Sequence, residues 1–508
     1  MKKEYNMKHY SFFKGINFIK IFKIEKLGKW AIFILSLLVF LTANFAINLF
    51  SLKIDLSFGK AYSLSPSTKK IIKNLDDVVN IKFFASSDLP VRLLPLKNEV
   101  LDFLKEYQKE AGGKIIIKVL DPKKDENAKN QAQEFGLPQL QFSQLEQNKY
   151  QVSSVYFGLA LSYGTKKEII TQVTDLESIE YNLTSLIYKM TKKEIEKIAI
   201  LGKEEKPNFK DDDLFTLKKV LRQQFVLDFI DVSNNSTTKE IDKSYKAIIV
   251  FDNNQKNYDS QEIAAIKNYL KNGGRALFFV DGVWVKDNLQ VEEANHNLFS
   301  LLSDFGITIK KNLVLSSSAE LVNFGNQFFQ FITPYPFWVK TQYFNQNQPF
   351  FSNIQQLLYP WVSSIEIKNK KEISPLVFTS KKSWGQKEFF VLDPQNIPDP
   401  KPTDLKQFTI SVYAKNINQT EIVVIPCSRF ILEQHLTRTT NNLEFVLNVL
   451  NNLAARGALS GIKQRSVVFY PLPELSENQK DLFKYLNIFL LPSLFALFGV
   501  VKLTKSNQ

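Results

Sequence analysis

The segment at residues 245–281, YKAIIVFDNNQKNYDSQEIAAIKNYLKNGGRALFFVD, decides the fold class. Two runs rich in β-branched and aromatic residues, 245–252 and 275–281, enclose a predicted helix over 260–271 with its apolar side chains on one face. Gly273-Gly274 ends that helix. A strand, a helix and a strand in close succession predict a crossover between parallel strands.

The same alternation extends toward the N-terminus. A strand at 196–202, a helix at 211–224 and a strand at 225–232 complete a doubly wound, flavodoxin-like layer. An earlier α/β unit is predicted on the same grounds. Its elements alternate as a strand at 53–58, a helix capped by Ser65 and begun by Pro66, a strand at 78–85, a helix at 98–108 and a strand at 114–122. A hairpin of strands 149–163 and 166–173 around Gly164 and a helix at 175–192 complete the unit.

Two apolar segments lie near the ends of the chain. Residues 30–50 and 485–501 carry no charged side chain, and the first is long enough to cross a bilayer as a helix. The Lys-rich segment 1–29 predicts a cytoplasmic N-terminus. We therefore expect a transmembrane helix at each end, both termini in the cytoplasm and a large extracytoplasmic domain at the inner membrane; the alternatives are a cleaved signal peptide and a buried helix.

The expected class is α/β, with tandem units of mostly parallel sheets, a β- and loop-rich middle region and the two terminal spans. The predicted division is 1–29 basic tail, 30–50 span, 51–194 first α/β domain, 195–309 second α/β domain, 310–440 aromatic β- and loop-rich region, 441–484 helix and connection, 485–501 span and 502–508 tail.

Composition excludes several classes of protein. The formal net charge is +14, but the basic residues are almost all Lys, whereas readers of bases and phosphates favour the planar fork of Arg, so we expect no nucleic acid as partner. The single Cys427 excludes a disulfide framework and a CxxC pair. No GxxxxGK[ST], GxGxxG or GxSxG motif occurs, so no nucleotide cofactor, metal or catalytic residue is predicted.

Carboxylates at strand ends mark where a ligand site is expected. Open α/β sheets bind ligands at the carboxyl ends of their strands, where Asp121, Asp252 and Asp281 lie. Trp284, close behind Asp281, is grouped with them. The alternative is that these carboxylates cap the helices that follow.

Aromatic side chains are dense between 310 and 440, with Phe337 and Trp338 beside two prolines. Such a region is typical of a surface that binds a glycan or a partner protein, and equally of core beneath a long loop. Phe337 and Trp338 are the binding residues that the first interpretation predicts.

Several motifs, in order and spacing, carry a resemblance to a known family. They are YSLSPSTKKIIKNLDDVVNIKFF (62–84), LPLKNEVLDFLKEY (94–107), Asp121-Pro122, YFGLALSYGTKKEII (156–170), Glu180-Tyr181-Asn182-Leu183, GGRALFFVD (273–281) and the helix at 441–456. With these the chain resembles the GldG-like auxiliary components of ABC-type transport systems related to gliding motility, whose ectodomain is similar to part of an intraflagellar transport protein. Where that family has a glycine-rich turn, this chain has GKEEKPN (202–208).

The resemblance implies a non-enzymatic subunit that works beside a separate ABC permease and ATPase, anchored in membrane lipid. Two other functions stay open: a scaffold that binds an envelope protein or glycan, and a hydrolase that uses the strand-end carboxylates.

Overall fold

The computed structural model describes residues 29–50, 63–146, 149–174, 176, 178–206, 211–252, 258–286, 288–325, 330–368, 372–416, 419–436, 440–462 and 477–506. The chain divides into two units, residues 1–63 and 64–508. The predicted strand at 53–58 lies outside the described residues.

The described α-helices are α1 Lys29–Phe50, α2 Pro66–Lys73, α3 Leu94–Glu110, α4 Glu126–Glu134, α5 Ile179–Thr191, α6 Phe215–Leu221, α7 Ser260–Lys271, α8 Leu298–Asp304, α9 Asn442–Ala455 and α10 Glu477–Ser506. The described strands are β1 Val79–Ala85, β2 Ile115–Leu120, β3 Leu140–Glu146, β4 Lys149–Val155, β5 Phe157–Tyr163, β6 Lys166–Ile170, β7 Lys197–Leu201, β8 Val226–Phe229, β9 Tyr245–Phe251, β10 Arg275–Phe279, β11 Val283–Val285, β12 Val291–Glu293, β13 Ile307–Ile309, β14 Leu313–Ser316, β15 Ala319–Gly325, β16 Gln330–Thr341, β17 Tyr343–Phe344, β18 Leu357–Pro360, β19 Ile365–Ile367, β20 Ile373–Phe378, β21 Ser383–Gln386, β22 Thr409–Lys415 and β23 Glu421–Ile425.

Within the described residues, no helix has both the length and the apolar character that a membrane crossing requires. Side chains of α1 are described for Ala31 and 33–42, a shorter stretch than the about 20 apolar residues that span a bilayer. The described part of α10 carries Lys480, Asp481 and Lys484. The finding contradicts the predicted transmembrane helices at 30–50 and 485–501, and the inner-membrane location deduced from them is wrong on the same ground.

The first sheet has four strands in the order β2-β1-β5-β6. β1 and β2 are parallel, as the crossover through α3 predicts, but β5 lies antiparallel to β1 and β6 antiparallel to β5. The expectation of a mostly parallel sheet is therefore wrong here, because the β5–β6 hairpin around Gly164 occupies the edge of β1.

The second sheet has eight strands in the order β17-β20-β22-β23-β10-β9-β7-β8. The five strands from β23 to β8 are parallel, and the other three continue antiparallel from β23. The strands β17, β20, β22 and β23 all come from the range 310–440, so this range completes the sheet that the strand-helix-strand segment at 245–281 begins. The α/β class is confirmed, with a mixed sheet.

Helices cover both faces of the parallel strands. Alternate residues of β9 point to opposite faces, so Ile249 packs in one core with α9, and Ile248 packs in another with α7 and α8. Asp259 caps α7 in a reciprocal capping box with Glu262. Gly273 follows the helix with a positive φ, as the predicted helix stop at Gly273-Gly274 requires. Both faces are buried, which fixes the carboxyl ends of the strands as one rigid edge.

A smaller aromatic core lies beside the second sheet. It includes Tyr335 and Phe337 of β16, both fully buried, with Trp338 and Trp361 packed against it. The aromatic density near residue 337 thus forms core.

Candidate functional site

Two aspartates lie side by side at the carboxyl edge of the second sheet. Asp252 directly follows β9 and Asp281 follows β10, and the parallel register pairs Phe251 with Phe279. The Asp252 N–H donates to the Phe279 carbonyl at 2.7 Å, which prolongs the pairing to the site itself. The sequence places both residues at strand ends, and the structure brings them together.

Asp252 is nearly fully buried and accepts two hydrogen bonds through one oxygen. Its Oδ2 accepts from Trp284 Nε1 at 2.7 Å and from the Asp281 N–H at 3.2 Å. Burial nevertheless raises the pKa of Asp252 to about 6, while the Trp284 and Asp281 hydrogen bonds and the Lys203 charge oppose the shift. Trp284, one of the predicted binding residues, is thus a direct partner of this carboxylate.

Asp281 joins the sheet edge to a turn that is distant in sequence. Its Oδ1 accepts from the Ser428 N–H at 2.6 Å, and its Oδ2 accepts from the Ser428 hydroxyl. Burial and the neighbouring Asp252 carboxylate raise the pKa of Asp281 to about 7, against the Ser428 hydrogen bonds and the Arg429 charge. Both carboxyl groups therefore release their protons at a higher pH than an ordinary aspartate does.

His296 contacts both aspartates; Asp252, Asp281 and His296 are called the carboxylate cluster below. His296 Nε2 lies 3.7 Å from Asp252 Oδ2 and 3.4 Å from the Asp281 carbonyl oxygen. Its ring stacks on Trp284 and makes a tilted contact with Phe299, at centroid distances of 6.1 and 4.2 Å. Burial lowers the pKa of His296, so the ring is neutral near pH 7. Its buried Nδ1 has no hydrogen-bond partner among the described residues.

The end of β9 lies so close to position 202, directly after β7, that only glycine fits there. Gly202, after β7, has φ +81°, and a Cβ there would lie 2.2 Å from both the Phe251 carbonyl oxygen and the Tyr258 hydroxyl. The next residue, Lys203, pairs with Asp213 at 2.6 Å. The segment GKEEKPN thus begins with a glycine that the packing requires.

Arg429 connects the carboxylate cluster to the aromatic core. Its guanidinium lies over the Trp361 ring at 5.0 Å and donates to the Val285 carbonyl. Trp361 contacts Trp338 edge to face at 5.4 Å. Phe337 is completely buried, so this side chain is packed in the protein interior.

Asp121 lies elsewhere. It follows β2 of the first sheet, where its Oδ1 accepts from the Ser87 N–H at 3.2 Å and the Lys123 N–H at 3.0 Å. These bonds order the local turn, so the structure unites Asp252 and Asp281 but not Asp121.

The arrangement brings buried Asp252 and half-buried Asp281, two carboxyl groups with raised pKa values, beside a neutral imidazole. The residues that sequence reasoning missed are His296 and Ser428, which reach the site only through tertiary contacts. No spacing in the sequence signals either one. Among the described residues, no group of three His, Cys, Asp or Glu side chains is arranged to hold a metal ion.

Comparison with known proteins gives two family matches. Residues 196–416 match the model of the family described as an ABC-type uncharacterized transport system. Residues 59–162 match a domain family of unknown function. The matched ranges contain most of the second and first sheets respectively.

Individual relatives are distant. An uncharacterized protein of Borreliella burgdorferi is 23% identical over 514 residues, covering 93% of this chain and 97% of that protein. Among solved structures, the mmIFT52 N-terminal domain (16% identical, TM-score 0.34, 51% of this chain and 97% of that one) and a ThuA-like protein from Bacteroides uniformis (16% identical, TM-score 0.31, 54% and 94%) are similar. Both TM-scores are too low to establish a shared fold.

Proposed function

We propose that the chain is a non-catalytic auxiliary subunit of an ABC-type transport system, of the kind typified by GldG, and that it acts beside a separately encoded permease and ATPase. The match of residues 196–416 to the transport-system family carries the proposal. The sequence has no P-loop of its own, so the energy of ATP hydrolysis has to come from a partner.

The engagement of the carboxylates supports a non-enzymatic role. Both oxygens of Asp281 accept from Ser428, and Asp252 accepts from Trp284 and from the Asp281 backbone. These bonds connect β9, β10, β11 and the 428–431 turn into one rigid edge. A rigid body of this kind influences a transporter by binding one of its conformational states more tightly than another.

Affinity purification tests the proposal. The full-length tagged chain is isolated from its own cells in mild detergent, and the co-purifying proteins are identified by mass spectrometry. We expect an ABC ATPase and a permease, both absent from a control purification with the same tag on an unrelated protein. Recovery of the chain without either subunit contradicts the proposal.

One observation favours hydrolysis as a second candidate function: the carboxyl groups of buried Asp252 and half-buried Asp281, both with raised pKa values, lie beside His296. The Asp281→Asn variant separates the two functions. If the chain is an auxiliary subunit, the variant keeps both the co-purifying ATPase and permease and the transport activity, because the amide still accepts from the Ser428 N–H and donates to the Ser428 hydroxyl. If the chain is a hydrolase, the variant loses the transport activity although the ATPase and permease still co-purify.

A further inference from the structure

The opposite edge of the second sheet has two adjoining cavities. One of about 940 Å³ opens at the amino-terminal ends of β9 and β10, beside the C-terminal ends of α5, α7 and α9. A second, of about 490 Å³, is lined by Phe350 and Tyr413. Arg275, the first residue of β10, and Arg456, which follows α9, line both cavities, so the cavities adjoin at these two residues; this place is called the junction below.

The charges around the junction do not cancel. The basic side chains that line the cavities are Lys192, Lys243, Lys246, Arg275, Lys415 and Arg456, and the acidic ones are Glu196, Glu240, Asp242 and Glu421. Glu196 pairs with Lys192 at 3.4 Å, and Glu421 with Lys415 at 3.3 Å. Asp242 accepts from the Ser244 N–H at 2.6 Å. Among the described residues, neither arginine has a carboxylate within ion-pair distance, so positive charge is left over.

Arg275 is held ready for a ligand. Its Nη1 donates to the Leu453 carbonyl at 2.6 Å, which fixes the guanidinium plane, while its buried Nε has no hydrogen-bond partner among the described residues. A guanidinium that is held in one orientation and keeps hydrogen-bonding capacity at Nη2 suits the oxygens of a carboxylate or phosphate.

Arg456 occupies a backbone conformation that favours glycine. It has φ 51° and ψ 37°, in the left-handed region, at the C-cap of α9. Arginine and not glycine occupies this position despite the backbone strain, and residues with strained backbone conformations cluster at functional sites.

Three helix C-termini face the first cavity, and part of their attraction for a cation is already met by side chains of the protein itself. Helix C-termini attract cations through unpaired carbonyls. Here the Leu453 carbonyl accepts from Arg275, the Leu270 carbonyl from the Thr420 hydroxyl at 2.6 Å, and the Met190 carbonyl from Lys166 at 2.9 Å.

We propose that the junction of these cavities is a binding site for an anionic ligand carrying phosphate or carboxylate groups, with Arg275 and Arg456 as its donors. The site is separate from the carboxylate cluster and independent of the transport proposal.

Titration calorimetry of the full-length chain tests this site, with inorganic pyrophosphate and citrate as separate probes at low ionic strength. We expect one saturable site, and the tighter probe identifies phosphate or carboxylate as the preferred group. Arg456→Gly is expected to weaken binding about tenfold or more while the thermal midpoint stays equal or rises, because glycine adopts this φ without strain. Arg275→Lys keeps the charge but loses the fork, and is expected to weaken binding several-fold.

Arg222→Ala is the matched control, because it removes an equal charge from an exposed arginine that pairs with Glu205. We expect it to change the affinity by less than about twofold. The proposal is overturned if neither probe shows saturable binding up to about 10 mM. Equal weakening by Arg222→Ala and Arg456→Gly also overturns it, since binding would then depend only on net charge.

Discussion

Asp281 binds its proton more tightly in the folded chain than in the unfolded one, because burial and the Asp252 carboxylate raise its pKa from 3.8 to about 7. The stability that this proton contributes is fully present below about pH 4 and is lost as the pH rises through about 7. From Asp281 alone we expect the free energy of unfolding to fall by about 3 kcal/mol between pH 5 and pH 8.

Denaturant titrations of the wild type and of Asp281→Asn at both pH values measure this contribution. The variant cannot ionise at this position, so its free energy of unfolding is expected to fall less with pH and to exceed that of the wild type at pH 8. Parallel pH profiles for the two proteins would contradict the assignment.

Glu180, part of the motif Glu180-Tyr181-Asn182-Leu183, holds the start of α2 by hydrogen bonds. It opens α5, is fully buried, and its Oε1 accepts from the Ser65 N–H at 2.7 Å and the Thr68 hydroxyl at 2.8 Å, so it anchors the start of α2. Glu180→Ala leaves the buried Ser65 N–H without its acceptor, while the Thr68 hydroxyl keeps Thr184 as a partner, and is expected to destabilise the chain by about 2 kcal/mol. Glu180→Gln retains an acceptor and is expected to cost less.

Urea unfolding, together with hydrogen exchange over residues 65–73, measures the effect. Glu99→Ala, which removes an exposed carboxylate from α3, is the control and is expected to be nearly neutral. An equally small effect of Glu180→Ala would show that the bonds to Ser65 and Thr68 do not anchor α2.

At the scale of elements, the turn after β7 depends on close contact with β9. A Cβ at Gly202 would overlap the Phe251 carbonyl oxygen and the Tyr258 hydroxyl, and φ +81° is strained for any other residue. Gly202→Ala is expected to destabilise the chain by about 3 kcal/mol, as measured by denaturant unfolding.

Gly113→Ala is the comparison that separates the cost of backbone strain from the cost of steric overlap at the new Cβ. Gly113 has φ +92° but open space around its Cβ position, so its substitution is expected to cost only about 1 kcal/mol. Similar costs at the two glycines would mean that β7 and β9 relax apart around the added methyl group.

The residues of a segment predicted its helices and strands better than they predicted which strands pair with each other. The stop of α7 at Gly273-Gly274, the alternation from β9 to β10 and the hairpin at Gly164 all follow from neighbouring residues. The pairing of β10 with β23 does not, because nothing in either strand specifies a partner some 140 residues away. The candidate site divides in the same way, since Asp252 and Asp281 lie at recognisable strand ends while Ser428 reaches them through β23.

At the scale of the whole molecule, β23 makes the second sheet depend on two distant parts of the chain. It lies between β10 and β22, so a fragment of residues 195–309 exposes one edge of β10 and loses the aromatic and α9 side chains that cover the sheet. We expect this fragment to aggregate or to unfold without cooperativity, whereas residues 178–462, which include α5 and β23, unfold in a cooperative transition. Circular dichroism and thermal scans of the two fragments make the comparison. A cooperative transition in the short fragment would show that its four parallel strands, β7 to β10, fold without β23.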